Sequence, residues 1–314
     1  MTADVLMCTY NGEEFIAQQI QSILDQTHTD FRLIIIDDRS NDRTVEIIEE
    51  MMLLDHRIEF YQNEQNLGYF NNFLLGLKYV NADYLFFSDQ DDIWVNNKIE
   101  VQLADLMQED ENVLMNFSNS YLLFDEINST ATFETKRNPQ QIRSYYSSPI
   151  ELSLRNIVAG HTILIRASKI PAISEKLSRI VDKKELYFDY VLTLVLLDYG
   201  KIKYLNQSLV YFRQHANSTS TKMRMNYYKY ISSNSSAFSK ISESTKMNTY
   251  FSALHKATAK TSNFVDYLRL LPQNLIHHKH IFNNYDFYHV DVQPSFFKRI
   301  NKCFALTYKC YLQK

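Results

Sequence analysis

The sequence predicts an α/β fold built on a doubly wound, mainly parallel sheet and followed by a helical C-terminal appendage. Three observations predict it. Short apolar runs alternate with stretches of helical period over the first hundred or so residues, the pattern of strand-helix-strand units. Two of those runs stop abruptly at acidic segments, where parallel sheets bind their ligands. Residue usage then changes sharply near residue 221.

The elements follow in order. Val5-Leu6-Met7-Cys8 is the first apolar run, and Glu13 to Asp25 places Ile16, Ile20, Ile23 and Leu24 on one helical face. Leu33-Ile34-Ile35-Ile36 reads as a buried strand, with Ser40 as N-cap of the helix carrying Val45, Ile47, Ile48 and Met52. Arg57 to Gln62 gives a third strand and Tyr69 to Val80 a helix. Tyr84-Leu85-Phe86-Phe87 is a strand ending at Ser88-Asp89-Gln90-Asp91-Asp92, with a helix from about Asn97. Val113 to Phe124 gives one or two strands, and the polar, aperiodic stretch from Glu126 to Tyr146 reads as a loop over the site. Thr162 to Ile165, a helix at Asp189 to Asp198, and strands at Lys203 to Leu205 and Leu209 to Phe212 complete a first domain, 1–221.

Composition excludes several classes. Hydrophobic residues make up 45% and charged residues 22%, ordinary globular usage. The five glycines form neither a dinucleotide fingerprint nor a Walker loop, so phosphate recognition has to rest on cations, basic side chains or helix N-termini. Cys8, Cys303 and Cys310 suggest neither a disulfide framework nor a zinc site and fit a reducing, cytoplasmic setting. No secretory leader pattern and no spanning apolar stretch is apparent. Residues 1–221 carry 19 basic and 32 acidic side chains, net −13, whereas 222–314 carry 14 basic and 4 acidic, net +10.

Asp89 and Asp91 stand two apart after a buried strand. In an extended backbone both carboxylates would face one side and hold a cation, leaving its other positions to water and phosphate oxygens. The alternative is an acidic turn, with Asp92 or Asn96 capping the next helix. Asp37-Asp38 ends a neighbouring strand and either binds a base or ribose or serves as a cap.

Three segments, Cys8-Thr9-Tyr10-Asn11-Gly12, Ile36-Asp37-Asp38-Arg39-Ser40-Asn41-Asp42 and Asp89-Gln90-Asp91-Asp92-Ile93-Trp94, resemble in order the signatures of family 2 glycosyltransferases over about residues 4–220. The last is similar to a bacterial branch described as rhamnosyltransferase-like. The resemblance implies a GT-A fold, a dTDP- or UDP-sugar donor, Mn²⁺ or Mg²⁺, inversion at the anomeric carbon, and a glycan or lipid-linked saccharide acceptor in surface polysaccharide synthesis. It implies that Thr9, Tyr10 and Asn11 line the nucleotide pocket, that Asp38 meets the base, and that Asp89 meets the ribose or the metal. Asp91 would hold the metal, with His215 completing its shell. Asp189, in Tyr187-Phe188-Asp189-Tyr190, resembles the catalytic base, though an acid at a helix N-terminus is also what the dipole favours. Arg213, Asp92, Trp94 and His161 are the candidates for the diphosphate or the acceptor, with a satisfied core histidine the alternative for His161. Arg39 departs from the pattern, since many relatives carry glycine there.

A nucleotide-sugar hydrolase and a non-catalytic nucleotide- or glycan-binding module are the competing readings. The basic, aromatic region 222–314 is expected to be mainly helical. It would either hold the protein on an anionic inner membrane surface or pack a homo-oligomer, with nucleic acid a less favoured partner.

Overall fold

The computed structural model describes residues 2–124, 134–135, 142–147, 152, 157–180 and 187–215. They belong to a compact unit, Met1–His215; the expected helical region 222–314 lies outside the described residues.

The chain runs β1 (Ala3–Thr9), α1 (Ile16–Leu24), β2 (Phe31–Asp37), α2 (Thr44–Leu54), β3 (Ile58–Gln62), α3 (Tyr69–Gly76) and β4 (Tyr84–Ser88). It continues through β5 (Ile93–Trp94), α4 (Lys98–Met107), β6 (Val113–Phe124), β7 (Glu134–Thr135) and β8 (Tyr145–Tyr146). The last elements are β9 (Ile163–Arg166), α5 (Ile170–Ser178), α6 (Phe188–Leu196) and β10 (Lys201–Gln214). Among the described residues the strands form one sheet in the order β3-β2-β1-β4-β9-β6-β10-β5, with β7 beside β6 and β8 beside β10.

The first half is the expected parallel sheet. β1 pairs in parallel with β2 and β4, and β2 with β3. Its strands are apolar on both faces, as a sheet covered on both sides requires; Leu33, Ile34, Ile35 and Ile36 are all buried. The second half corrects the expectation of a mainly parallel sheet. β9 runs antiparallel to both β4 and β6, and β5 antiparallel to β10, so the whole is mixed. β10 is one strand where the sequence suggested two, because the polar stretch Asn206-Gln207-Ser208 falls at register shifts within a continuous ladder to β6. Ser40 is not a helix cap: α2 starts after Arg43, and the Ser40 hydroxyl donates to Asp37.

Asp4 and Lys98 are ionisable side chains buried in the first half of the fold. Asp4 accepts a bidentate pair from Arg32, at 2.9 Å on each oxygen, and backbone N–H groups of Asn81 and Ala82. Lys98 is fully buried, with its amine over the rings of Trp94 (4.6 Å) and Phe86 (5.1 Å), and donates to Gln102 Oε1. Burial pushes its pKa well below the usual lysine value. A native amine that binds fewer protons than the unfolded one makes stability rise with pH toward about 10.4. Urea midpoints of the wild type should therefore climb with rising pH above neutrality relative to Lys98→Met. Parallel pH profiles would show that the amine titrates ordinarily.

Candidate active site

The carboxyl ends of β1, β2 and β4 lie at one edge of the sheet. Beyond β1, the Thr9-Tyr10-Asn11-Gly12 loop is fastened on two sides. Gln90 Oε1 accepts the Thr9 hydroxyl (2.6 Å) and the Tyr10 N–H (2.8 Å), and Gln90 Nε2 donates to the Tyr10 carbonyl (3.2 Å). Opposite, Ser40 Oγ accepts the Asn11 N–H (2.9 Å) and Thr44 Oγ1 the Gly12 N–H (2.7 Å). Gly12 is needed there, since a Cβ would stand 2.5 Å from Gln90 Oε1. The Tyr10 backbone is thus held while the residue stays 47% exposed. Asn11 (φ 49°) and Arg39 (φ 67°) are both left-handed, and glycine adopts the Arg39 conformation at less cost.

Asp38 is buried and already engaged. Its Oδ1 accepts Asn63 Nδ2 (2.8 Å) and the Leu67 N–H (2.7 Å), and its Oδ2 accepts the Gly68 N–H (2.8 Å). Asp38, expected to meet the base, anchors loop 63–68 through these bonds.

Segment 89–92 bends, and the expected Asp89-Asp91 pair divides. Asp89 and Asp92 gather with His161 in a cluster whose donor atoms lie within 4.8 Å of one another. His161 Nδ1 is 3.4 Å from Asp89 Oδ2 and 3.3 Å from Asp92 Oδ2. Asp91 turns the other way, its Oδ2 2.8 Å from His215 Nε2, with the two side chains 19% and 20% exposed.

Four other candidates, Trp94, Arg213, Asp92 and His161, lie buried. Trp94 is 3% exposed in the core against Phe86, so it packs rather than meeting a ligand. Arg213 is buried over the Phe15 ring, with Nε donating to the Asp91 carbonyl (2.9 Å), Nη2 to Gln18 (2.8 Å), and its backbone N–H to Asp92 Oδ1 (3.1 Å). Through these bonds it clamps the acidic segment. Asp92, fully buried, takes that N–H and faces His161. His161, at 1% exposure, is likewise internal: its Nε2 lies 2.9 Å from Ser120 Oγ and its ring stacks on Phe212 at 4.8 Å.

Asp189 sits in the first turn of α6. Its Oδ2 accepts the Gly160 N–H and its Oδ1 the Tyr190 N–H, both at 2.8 Å. Tyr69 feels the charge of both this carboxylate and Asp89. Burial, then the negative charges of Asp189 and Asp89, hold its phenol well above the ordinary value. Cys8 is raised by burial and then by Asp38 and Asp89, which sets the end of β1 between those two acids.

Two donor sets could meet a divalent cation. Asp91 and His215 fit the metal that the resemblance implies, since a part-exposed carboxylate and imidazole leave room for water and phosphate oxygens. Their mixed oxygen and nitrogen donors suit Mn²⁺ better than Mg²⁺. In the other set, two of three members are buried, and the donor atoms of Asp89, Asp92 and His161 lie within 4.8 Å of one another, so this cluster could also meet a cation.

Sequence reasoning missed Gln90, Ser120 and Gly160. Gln90 lies inside the acidic motif and Gly160 is one of only five glycines, so each carried a signal; nothing local marked Ser120.

Comparison with known proteins identifies the family. The chain matches the model of "Glycosyl transferase family 2" over residues 4–168, just over half its length. It is 30% identical over 223 residues to UDP-Glc:alpha-D-GlcNAc-diphosphoundecaprenol beta-1,3-glucosyltransferase WfaP of Escherichia coli, covering 69% of this chain and 78% of that one. It is 42% identical over 99 residues to dTDP-rhamnosyl transferase RfbG of Shigella flexneri, covering 30% of this chain and 34% of the relative. An uncharacterized glycosyltransferase of Haemophilus influenzae is 36% identical over 118 residues, 38% of this chain and 36% of its own. Among solved structures, S. aureus TarS 1-349 in complex with UDP superposes with a TM-score of 0.55 at 16% identity, covering all of this chain and 92% of that one. That likeness establishes the GT-A-like α/β fold. Among the described residues no helix is long and apolar enough to cross a membrane. Sheet, loop motifs and family match together show that the chain belongs to glycosyl transferase family 2.

Proposed function

We propose that the protein transfers a sugar from a nucleoside diphosphate to a hydroxyl of a lipid-linked saccharide, with inversion, during bacterial surface polysaccharide synthesis. The observation that carries this reading is the adjacent pair Gly160-His161, which brings the base and a donor-side acid together: the Gly160 N–H holds Asp189 Oδ2 at 2.8 Å and His161 Nδ1 stands 3.4 Å from Asp89 Oδ2. A relative acting on a diphosphoundecaprenol-linked sugar supports the acceptor class.

Asp189 takes the proton of the acceptor hydroxyl as that oxygen's lone pair forms the new bond to the anomeric carbon. The bond from that carbon to the diphosphate breaks with its electron pair, which leaves on the phosphate oxygen. A carboxylate oxygen can accept two hydrogen bonds, so an Asp189 oxygen that holds a backbone N–H can also receive a substrate hydroxyl. Asp91 and His215 would hold a divalent cation, which when bound supplies positive charge against the leaving diphosphate. Tyr10 offers its exposed ring to the base, and Asp89 its carboxylate to the ribose.

Screening a panel of UDP- and dTDP-sugars with Mn²⁺ and with Mg²⁺, read by nucleotide release and product analysis, tests the reading. A new glycoside, formed faster with Mn²⁺, is expected. Free sugar formed equally well without acceptor would establish a hydrolase, and binding without turnover a non-catalytic module.

Gln90 should matter for binding more than chemistry, because it fixes Thr9 and Tyr10. Gln90→Ala is expected to weaken UDP or dTDP binding about tenfold, or ~1.4 kcal/mol, in calorimetric titration. An unchanged affinity would show that the loop keeps its shape unaided. The basic region 222–314 would bring the enzyme to its lipid-linked acceptor by attraction to anionic lipid. Full-length protein should then cosediment at low salt with vesicles containing anionic lipid, and a chain ending at Ser220 should not; equal behaviour of the two would remove the anchor.

A further inference from the structure

We propose that His161 is a positioning residue for this transfer, setting the distance between the base at Asp189 and the donor-side acids through the Gly160–Thr162 turn. The inference rests on the transfer reading above and adds to it a residue that meets neither substrate.

Gly160 and His161 are adjacent and face opposite halves of the reaction. The Gly160 N–H holds Asp189 Oδ2 at 2.8 Å, while His161 Nδ1 stands 3.4 Å from Asp89 Oδ2 and 3.3 Å from Asp92 Oδ2. The turn itself is closed by the backbone N–H and hydroxyl of Thr162, both donating to the Ala159 carbonyl, at 2.9 and 2.7 Å. The imidazole has little freedom to move: Ser120 Oγ is 2.9 Å from Nε2, Phe212 stacks on its face at 18°, and the residue is 1% exposed. With two carboxylates at Nδ1, that nitrogen carries a proton in either charge state of the ring, and the neutral ring accepts the Ser120 hydroxyl at Nε2.

The same unit reaches the other donor pair. Asp92, whose Oδ2 stands 3.3 Å from His161 Nδ1, accepts the Arg213 N–H at 3.1 Å, two residues before His215, whose Nε2 meets Asp91 at 2.8 Å. One rigid turn therefore fixes the base directly and both donor-side groups at one remove. Inverting displacement needs the base and the leaving diphosphate on opposite faces of one carbon, and a displacement of about 1 Å can cost on the order of 10²-fold in rate.

The test is the pair His161→Leu and His161→Asn. Both side chains branch at Cγ, but only asparagine offers an N–H where Nδ1 stood. We expect His161→Leu to lower kcat by about 10²-fold and to weaken Mn²⁺-dependent UDP binding about tenfold, with His161→Asn recovering most of both. Matching thermal unfolding of the two variants would separate positioning from folding. Should the leucine variant not fold, His161→Gln replaces it in the comparison, because its longer amide reaches toward Ser120 rather than the acids, and it should be slower than His161→Asn. A leucine variant with near wild-type kcat and UDP affinity, or an asparagine variant as impaired as leucine or glutamine, would overturn the proposal. Failure of the transfer reading shows elsewhere, in a wild type that releases no nucleotide from any donor, and the UDP-binding comparison still decides the role of His161 in that event.

Discussion

Asp189→Asn is expected to leave UDP or dTDP affinity within about twofold of wild type and to slow transfer by about 10²-fold or more. The amide keeps the shape of the carboxylate and an oxygen for the Gly160 N–H, giving up only the bond from the Tyr190 N–H, so the turn at Gly160 should stay in place. What it loses is the ability to take a proton from the acceptor hydroxyl. Binding and chemistry therefore separate in this variant, which a merely structural aspartate would not produce. Steady-state kinetics with a competent acceptor, alongside calorimetry with the nucleotide, measures both; a kcat near wild type would move the base to another residue.

For Asp91→Asn the pattern should differ. Metal-dependent nucleotide affinity and turnover are both expected to fall by about 10²-fold, because the neutral amide is a weaker cation ligand than a carboxylate. The backbone should hold, since Arg213 Nε grips the Asp91 carbonyl and not its side chain. Titration of UDP with and without Mn²⁺ is the direct measurement. Equal Mn²⁺ dependence in mutant and wild type would exclude Asp91 as a metal ligand.

Strands β1, β2 and β4 were legible because fully buried parallel strands read as unbroken apolar runs, and the acids at their ends stood out against that background. Asp91 and His215 were both singled out, although their 2.8 Å approach spans 124 positions of sequence. The illegible features are those whose cause lies far along the chain. The reversal at β9 depends on which strands it joins, not on its own four residues. Trp94 and Arg213 are residue types that often meet ligands, yet tertiary packing places one in the core and the other across the acidic segment. The bend at 89–92 divided Asp89 from Asp91 because Gln90 between them is drawn to the β1 loop, a pull invisible in local spacing.

The reversed direction of β9 has a consequence for how this protein can change. Because β9 enters the sheet at the reacting edge and leaves at the other, the chain after Arg166 emerges beside the start of β4, where the Ala167 N–H bonds the Asp83 carbonyl at 2.8 Å. Insertions between Ala167 and Lys169 would grow from that far edge, whereas insertions just before β9 would push directly into Gly160 and His161. The two ends of one four-residue strand thus differ in evolutionary freedom. A short loop grafted after Arg166 should be borne with turnover intact, and the same graft before Gly160 should not.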